Sequence, residues 1–410
     1  MGVEYKQATL PNGLTVLGEI DPEAHTAACG FFVRTGARDE SSDIMGVSHF
    51  LEHMLFKGTA TRSAADVNLE FDQLGAEYNA FTSNEMTGYW AWVLPENLPA
   101  AADLLADIMR PALRDDDFNS ERGVILEEIA MYQDMPFSRL YDPAVEAHYK
   151  SHPLSNRVLG TTETVSAMTP EQMRAYFDQR YSPDCITVTL AGRIEFDAMT
   201  ADIKRLCGSW EPTGAQREHP ELQRSSVDLT LDDERAARHY YMMIAAAPPI
   251  QDESRYAADI LAHLIGDSEG SLLYWALVDP GLADEAQFWY DGRDGLGEFY
   301  AFASCSPERA EQVETVINDT LAHFLDRVTD DDLERLRNKI ATLVTLHGER
   351  PAGRMRRLGK LGVYDLPYRT LDEELERIQA VTLADVRAVA DAFPLTNTPT
   401  TTARLRPQSP

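Results

Sequence analysis

HFLEH, residues His49 to His53, places three polar side chains where one helix can bring them together. Positions four apart on an α-helix leave the same side, so both imidazoles can reach one metal ion. Glu52, three positions after His49, stands beside that pair. It can take a proton from a water without being a ligand, which is what a hydrolytic zinc site needs of its base. The neighbours Met45, Val47, Phe50, Leu51, Met54, Leu55 and Phe56 are apolar. Polar groups set among them are costly unless a partner or a metal compensates, which argues against mere decoration of a solvated helix.

A catalytic zinc site takes three protein ligands and keeps one position for water. The third candidate lies in the stretch from Asp115 to Asp134, where Asp115, Asp116 and Asp117 suit a helix N-terminus. Glu121 and Glu128 are seven apart and fall within about 20° on one helical face, with Val124 and Ile125 between them, whereas Glu127 points about 100° away. If this helix packs on the His helix through that stripe, Glu128 can ligate while Glu121 orients a ligand or the water. A solvated face is the competing reading for any one of these glutamates.

At 410 residues, of which 44% are hydrophobic, the chain suggests two domains rather than one core. No apolar stretch approaches the roughly 18–20 residues of a membrane span, and MGVEYKQATLPNG has neither a signal-peptide core nor a myristoylation signal. Cys29, Cys185, Cys207 and Cys305 form no CxxC pair or disulfide framework, so a reducing cytoplasm is the expected compartment. A net charge of −30 argues against nucleic acid as a partner. Solvation accounts for that charge, with a preference for basic or neutral peptides as the functional alternative.

The two halves of the chain resemble each other. Leu94-Pro95-Glu96 opens a helical stretch followed by Asp115-Asp116-Asp117, and Ser306-Pro307-Glu308 opens another followed by Asp330-Asp331-Asp332. VSAMTPEQMRAYF (Val165 to Phe177) is echoed by IQAVTLADVRAVA (Ile378 to Ala390). A period of roughly 210 residues means duplicated domains. The expected division is residues 1–210 and 227–410, joined by the polar run 211–226.

Within each half, strands come first and helices later. GLTVLGEI, AACGFFVRTGA and the hairpin AEYNAFTSNEMTGYWAWVL are matched by RHYYMMIAAA, AQFWYDG and GEFYAFASCS. The fold expected is α+β, two duplicated domains, each a mostly antiparallel sheet covered by helices. Where the His helix recurs, the second half has only His263 and no accompanying glutamate, and Leu336 stands where a ligand-helix glutamate would be. One Zn2+ per chain is therefore expected, with His263 a structural residue.

The run GVSHFLEHMLFKGT (Gly46 to Thr59), followed by ERGVILEEIAMYQD (Glu121 to Asp134), resembles the pitrilysin or insulinase-type zinc metallopeptidases, the inverzincins. Within that family it is most similar to bacterial proteins like the catalytic subunit of the mitochondrial processing peptidase. The likeness runs from LPNGLTV at Leu10 to the closing helices. It implies zinc ligands at His49, His53 and Glu128, a catalytic base at Glu52, a second supporting glutamate at Glu121, and two similar domains forming half of a clamshell.

The strand holding Asn79, Ala80, Phe81 and Thr82 offers an edge on which an extended peptide can pair through its backbone. The resemblance implies that this edge binds substrate, with Phe56 and Phe81 near the cleavage site. It also implies that Asp142, with Ser138 in place of a second acid, reads the substrate. In related chains a segment resembling REKRGLAY supplies an Arg and a Tyr that hold the substrate carbonyl. Here DPGLAD puts Pro280 and Asp284 at those positions, and neither donates such hydrogen bonds. The reading is a zinc endopeptidase that is the catalytic member of a heterodimer whose partner supplies the Arg and Tyr, or else a homodimer. The alternative is a non-catalytic core subunit sharing the fold.

Overall fold

The alternating runs of the sequence become strands of two mixed sheets, and the runs of helical period cover them. The computed structural model describes residues 2–408. The first half of the chain runs β1 (Glu4–Thr9), β2 (Thr15–Ile20), β3 (Ala27–Val33), α1 (Val47–Leu55), α2 (Ala64–Gln73), β4 (Glu77–Thr82), β5 (Thr87–Val93), α3 (Leu98–Ile108), α4 (Asp115–Asp134), α5 (Pro136–Tyr149), α6 (Thr162–Ala167), α7 (Pro170–Arg180), β6 (Ile186–Gly192) and α8 (Phe196–Cys207). The second half runs β7 (Val227–Asp233), β8 (His239–Ala247), α9 (Arg255–Gly266), β9 (Glu285–Gly292), β10 (Gly297–Cys305), α10 (Ala310–Arg327), α11 (Asp330–Gly348), α12 (Pro351–Tyr364), α13 (Leu371–Ala380), α14 (Leu383–Ala392) and β11 (Thr401–Pro407).

The six-stranded sheet has the order β1-β2-β6-β3-β5-β4, with β2 and β6 parallel and the other pairs antiparallel. The five-stranded sheet has the order β7-β11-β8-β10-β9, with β7 and β11 parallel and the rest antiparallel. Apart from β1, the second sheet repeats the order of the first, including the position of its one parallel pair. This is the α+β duplication expected from the sequence. Four strands were not legible there: β1, β6, β7 and β11. Helix α11 also continues to Gly348, well past the Ile340 end suggested by its pattern.

Packing divides the chain differently from the repeat. The first compact unit takes the residues up to Ala130, Asn156–Glu218 and Thr345–Tyr368; the second takes Met131–Ser155, His219–Val344 and the residues from Arg369 on. Each sheet is completed by a helix encoded in the other half of the chain. Helix α12 packs on β2, β3 and β6, and α5 packs on β7, β8 and β11.

In the first unit β3 is buried along its whole length, as AACGFFV requires between two covered faces. Ala27, Cys29, Phe31 and Val33 join the core that holds Phe50, Leu51 and Met54 of α1. Gly30 and Phe32, on the opposite side of the pleat, meet α12. Gly359 allows that approach, since a Cβ there would stand 2.5 Å from the Phe32 ring. The contact is fixed by polar groups as well: Arg357 pairs with Glu19, Tyr368 donates to Glu19 Oε1 at 2.9 Å, and Arg356 lies over the Trp90 ring at 4.6 Å.

The second unit has its own core, in which Leu333, Leu336 and Ile340 of α11 pack with α9 residues such as Leu261 and Ile265. Among the described residues, no helix is long and apolar enough to cross a membrane.

Candidate metal centre

Helix α1 starts abruptly and is held at its start. Gly46 takes φ +94, and a Cβ there would stand 2.7 Å from the Leu159 carbonyl oxygen, so glycine is required. The first N–H groups of a helix lack partners within it. The Glu40 carboxylate accepts from two backbone N–H groups here, Gly46 at 2.6 Å and Ser48 at 2.8 Å. Burial pushes the Glu40 carboxyl up to about 8, against the lowering effect of its hydrogen bonds from Ser48 and Gly46. The apolar face of α1 is buried, with Phe50 stacked on Phe118 of α4 at 4.6 Å. Ile125 and Ile129 of α4 join the same core, whereas Val124 is exposed, so the packing stripe of α4 excludes one of the two residues read into it.

This packing brings the two helices' polar side chains together. His49 Nε2 lies 3.6 Å from Glu128 Oε2, and His53 Nε2 lies 3.7 Å from the same oxygen. One ligand atom from each of the three residues falls within 4.8 Å of the others. Donors about 2.0–2.2 Å from a tetrahedral ion stand roughly 3.3–3.6 Å apart, and the two nitrogen–Glu128 distances lie close to that spacing; two imidazole nitrogens and a carboxylate oxygen are donor types that zinc takes. His49 Nδ1 is buried without a hydrogen-bond partner among the described residues. Burial, then the neighbouring His53 charge, lowers the His49 pKa to about 3, so this imidazole is neutral as a ligand must be.

His53 is held differently. Its Nδ1–H donates to Glu121 Oε1 at 2.8 Å, and since a carboxylate only accepts, this fixes the tautomer that leaves Nε2 open toward Glu128. Lys57 Nζ donates to the other Glu121 oxygen at 2.5 Å. Burial works to lower the His53 pKa, but the Glu121 hydrogen bond and the Glu121, Glu128 and Glu52 charges outweigh it and raise it. For Glu121 burial works upward, and the hydrogen bonds from His53 and Lys57 bring its carboxyl below the usual range. Glu127 is exposed, as its angular position on α4 predicts.

Glu52 Oε2 accepts from Thr82 Oγ1 at 2.6 Å. Burial raises the Glu52 pKa, the Thr82 hydrogen bond and His53 pull it down, and Glu128 raises it again. A carboxylate whose affinity for protons is raised beside a metal ligand set is suited to accept a proton.

The other residues singled out in the sequence separate by face and by unit. Phe56 and Ala80 pack against the core that holds α1, with Phe56 6.1 Å from the Tyr78 ring. Phe81 lies on the opposite face of the sheet, 6.3 Å from Phe32, and is not brought together with the His pair. Asn79 is exposed on that same alternate face, its Oδ1 accepting from the Ala80 N–H at 2.8 Å. Asp142 and Ser138 lie on α5 in the second unit. There too, Asp284 accepts from Arg238 at 2.7 Å, and His263 Nδ1–H donates to the Asp259 carbonyl oxygen at 2.9 Å. Sequence reasoning missed the roles of Glu40, Lys57 and the Thr82 hydroxyl. Lys57, one turn after His53, was within reach of helical spacing, whereas Glu40 and Thr82 act through contacts that no local period encodes.

The fold and this side-chain set define a duplicated α+β chain with one candidate His-His-Glu metal group among the described residues. The chain belongs to the insulinase family: it matches Insulinase (Peptidase family M16) over residues 15–162 and the Peptidase M16 inactive domain over residues 167–340. It is 34% identical over 392 residues to an uncharacterized zinc protease of Mycobacterium tuberculosis (strain H37Rv), covering 94% of this chain and 90% of that one. It is 32% identical over 390 residues to an uncharacterized zinc protease of Bacillus subtilis (strain 168), covering 94% of each. In fold it is similar to a protease from Helicobacter pylori, with a TM-score of 0.93 at 21% identity over 99% of this chain and 100% of that one. A chain of complex III2 from Candida albicans has a TM-score of 0.83 at 17% identity, covering 98% of this chain and 96% of that one.

Proposed function

We propose that the chain is a zinc-dependent endopeptidase acting on short or unfolded polypeptides bound as an added β-strand. The observation that carries this reading is the gathering of two imidazole nitrogens on one Glu128 oxygen at 3.6 and 3.7 Å, with Glu52 beside them on α1. Zinc bound by His49, His53 and Glu128 supplies Lewis acidity, which lowers the pKa of a water and polarises the scissile carbonyl. Glu52 takes the proton of the attacking water and returns it to the leaving amine. Glu121 acts on His53, holding its ring and tautomer, and Lys57 keeps Glu121 charged.

The peptide lies along β4, the last strand of the six-stranded sheet, whose outer backbone edge has no strand beside it among the described residues. Asn79, Ala80 and Phe81 contribute backbone groups there, and Phe56 contributes an apolar wall on the α1 side. Asp142 is proposed to read a basic substrate side chain. With Pro280 and Asp284 in the segment DPGLAD, this chain lacks donors there to a substrate carbonyl, which supports a catalytic subunit whose dimer partner provides them. The cysteine spacing supports a cytoplasmic setting, and the bacterial relatives support a bacterial one.

Zinc content by elemental analysis, with peptidase assays of the chain alone and with candidate partner subunits, tests the reading. One zinc per chain and turnover that rises on adding a partner are expected. Full turnover by the chain alone removes the heterodimer, and absence of zinc favours a non-catalytic core subunit.

A further inference from the structure

The side chain on Glu52 comes from the edge strand itself. Thr82 is the last residue of β4, and its Oγ1 donates to Glu52 Oε2 at 2.6 Å. A hydroxyl has one proton to give, and this one goes to the carboxylate. We propose that Thr82 is a positioning residue for the catalytic base, holding one Glu52 oxygen so that the other is the one presented to the attacking water. The inference rests on the peptidase reading of the site.

The frame around Thr82 makes that hold firm. Along β4 the pleat sends Tyr78, Ala80 and Thr82 toward α1, and Tyr78 stacks on Phe71 of α2 at 4.1 Å. Thr82 is opposite Thr87 of β5 in the antiparallel ladder. The turn that follows is closed by Ser83 N–H to the Met86 carbonyl at 2.9 Å and by Met86 N–H to Ser83 Oγ at 3.1 Å. The hydroxyl is thus carried on a strand fixed at both ends. Glu52, at its other end, is a flexible side chain with three rotatable bonds, and one short charge-assisted hydrogen bond restricts it.

The arrangement joins two tasks on one strand. A peptide pairing with the free edge of β4 uses backbone groups, while Thr82, on the same strand, aims the base. Loss of the hydroxyl should therefore spare binding and slow the chemical step. A base that samples several rotamers spends less time in the reactive geometry, and about a tenfold fall in kcat is expected from that loss of orientation.

Thr82→Val keeps the shape of the side chain and removes the hydroxyl; Thr82→Ser restores it. The zinc-loaded Thr82→Val protein is expected to keep its metal content and its KM within about twofold while kcat falls about tenfold, and Thr82→Ser is expected to recover most of kcat. An unchanged kcat, a loss expressed only in KM, or failure of Thr82→Ser to recover overturns the proposal. A second measurement needs neither metal nor turnover. The Glu52 carboxylate stretch, isolated as the infrared difference between wild type and Glu52→Gln in metal-free protein, should shift in Thr82→Val and stay in place in Thr82→Ser. A band that does not move in Thr82→Val overturns the hydrogen bond itself. Active Glu52→Gln would remove the base and the peptidase reading with it, whereas inactive Glu52→Gln beside fully active Thr82→Val removes Thr82 alone.

Discussion

Helices α1 and α9 follow corresponding strands in two sheets of the same strand order, and among the described residues only α1 carries part of a candidate metal group. On α1, His49 and His53 sit in a mostly apolar helix and meet Glu128 and Glu121 of α4, while Glu52 is held by Thr82 of β4. On α9, His263 satisfies itself within its own helix, and α11 turns Leu333, Leu336 and Ile340 into the core where α4 turns Phe118, Glu121 and Ile125. Both cores are closed. The difference teaches that a sheet of this order can be covered by an apolar helix pair, so packing alone does not call for the polar cluster of the first unit. Buried polar groups lower stability unless fully paired, and the second unit shows the apolar solution to the same packing problem.

Four changes can break or sharpen this contrast. Glu52→Gln should lower kcat about 100- to 10,000-fold with zinc retained, measured by peptide cleavage and elemental analysis; retained turnover would free Glu52 of its role. Glu121→Gln should weaken zinc binding about 10- to 100-fold by releasing the His53 ring, read from competition with a chelator, and an unchanged affinity would make Glu121 a bystander.

Glu40 gives a change with pH rather than with metal. Its folded pKa, about 8, lies above the ordinary glutamate value of 4.5, so it binds a proton more tightly folded than unfolded. That contribution is fully present below about 4.5 and is lost as pH rises through about 8. The stability of the wild type relative to Glu40→Gln, followed by urea unfolding, should fall across that window, and a flat difference would contradict it. Last, His263→Ala should leave zinc content and turnover unchanged. Any loss of metal would mean that the second unit shares in the site.

Much of this was readable in the chain because it is periodic over short distances. His49 and His53 are one helical turn apart, Glu121 and Glu128 are two, and β4 alternates between exposed and half-buried residues from Glu77 to Ala80. Strand β6 escaped because ITVTLAG is isolated between helices and pairs with β2 and β3, more than 150 residues earlier. Strand β11 escaped for the same reason. Phe81 was placed near the cleavage site by the family resemblance alone, since which face of β4 it takes is known only once the register is known. Glu40 and Thr82 were invisible as site residues, since each acts through a hydrogen bond to an element that no local pattern connects to it.

Helix α12 gives the first sheet its second cover from residues 351–364, and this sets a timetable. Both helices of the candidate metal group are synthesised by Asp134, while the face of the sheet bearing Gly30 and Phe32 must wait for more than two hundred further residues. At about 5–20 residues per second, the ribosome leaves that apolar face bare for on the order of ten to fifty seconds. Chains stalled before residue 351 should lose the first sheet to a protease that spares chains stalled after full emergence of residue 364. Equal resistance in both would show that the half with the candidate metal group matures before its last cover arrives.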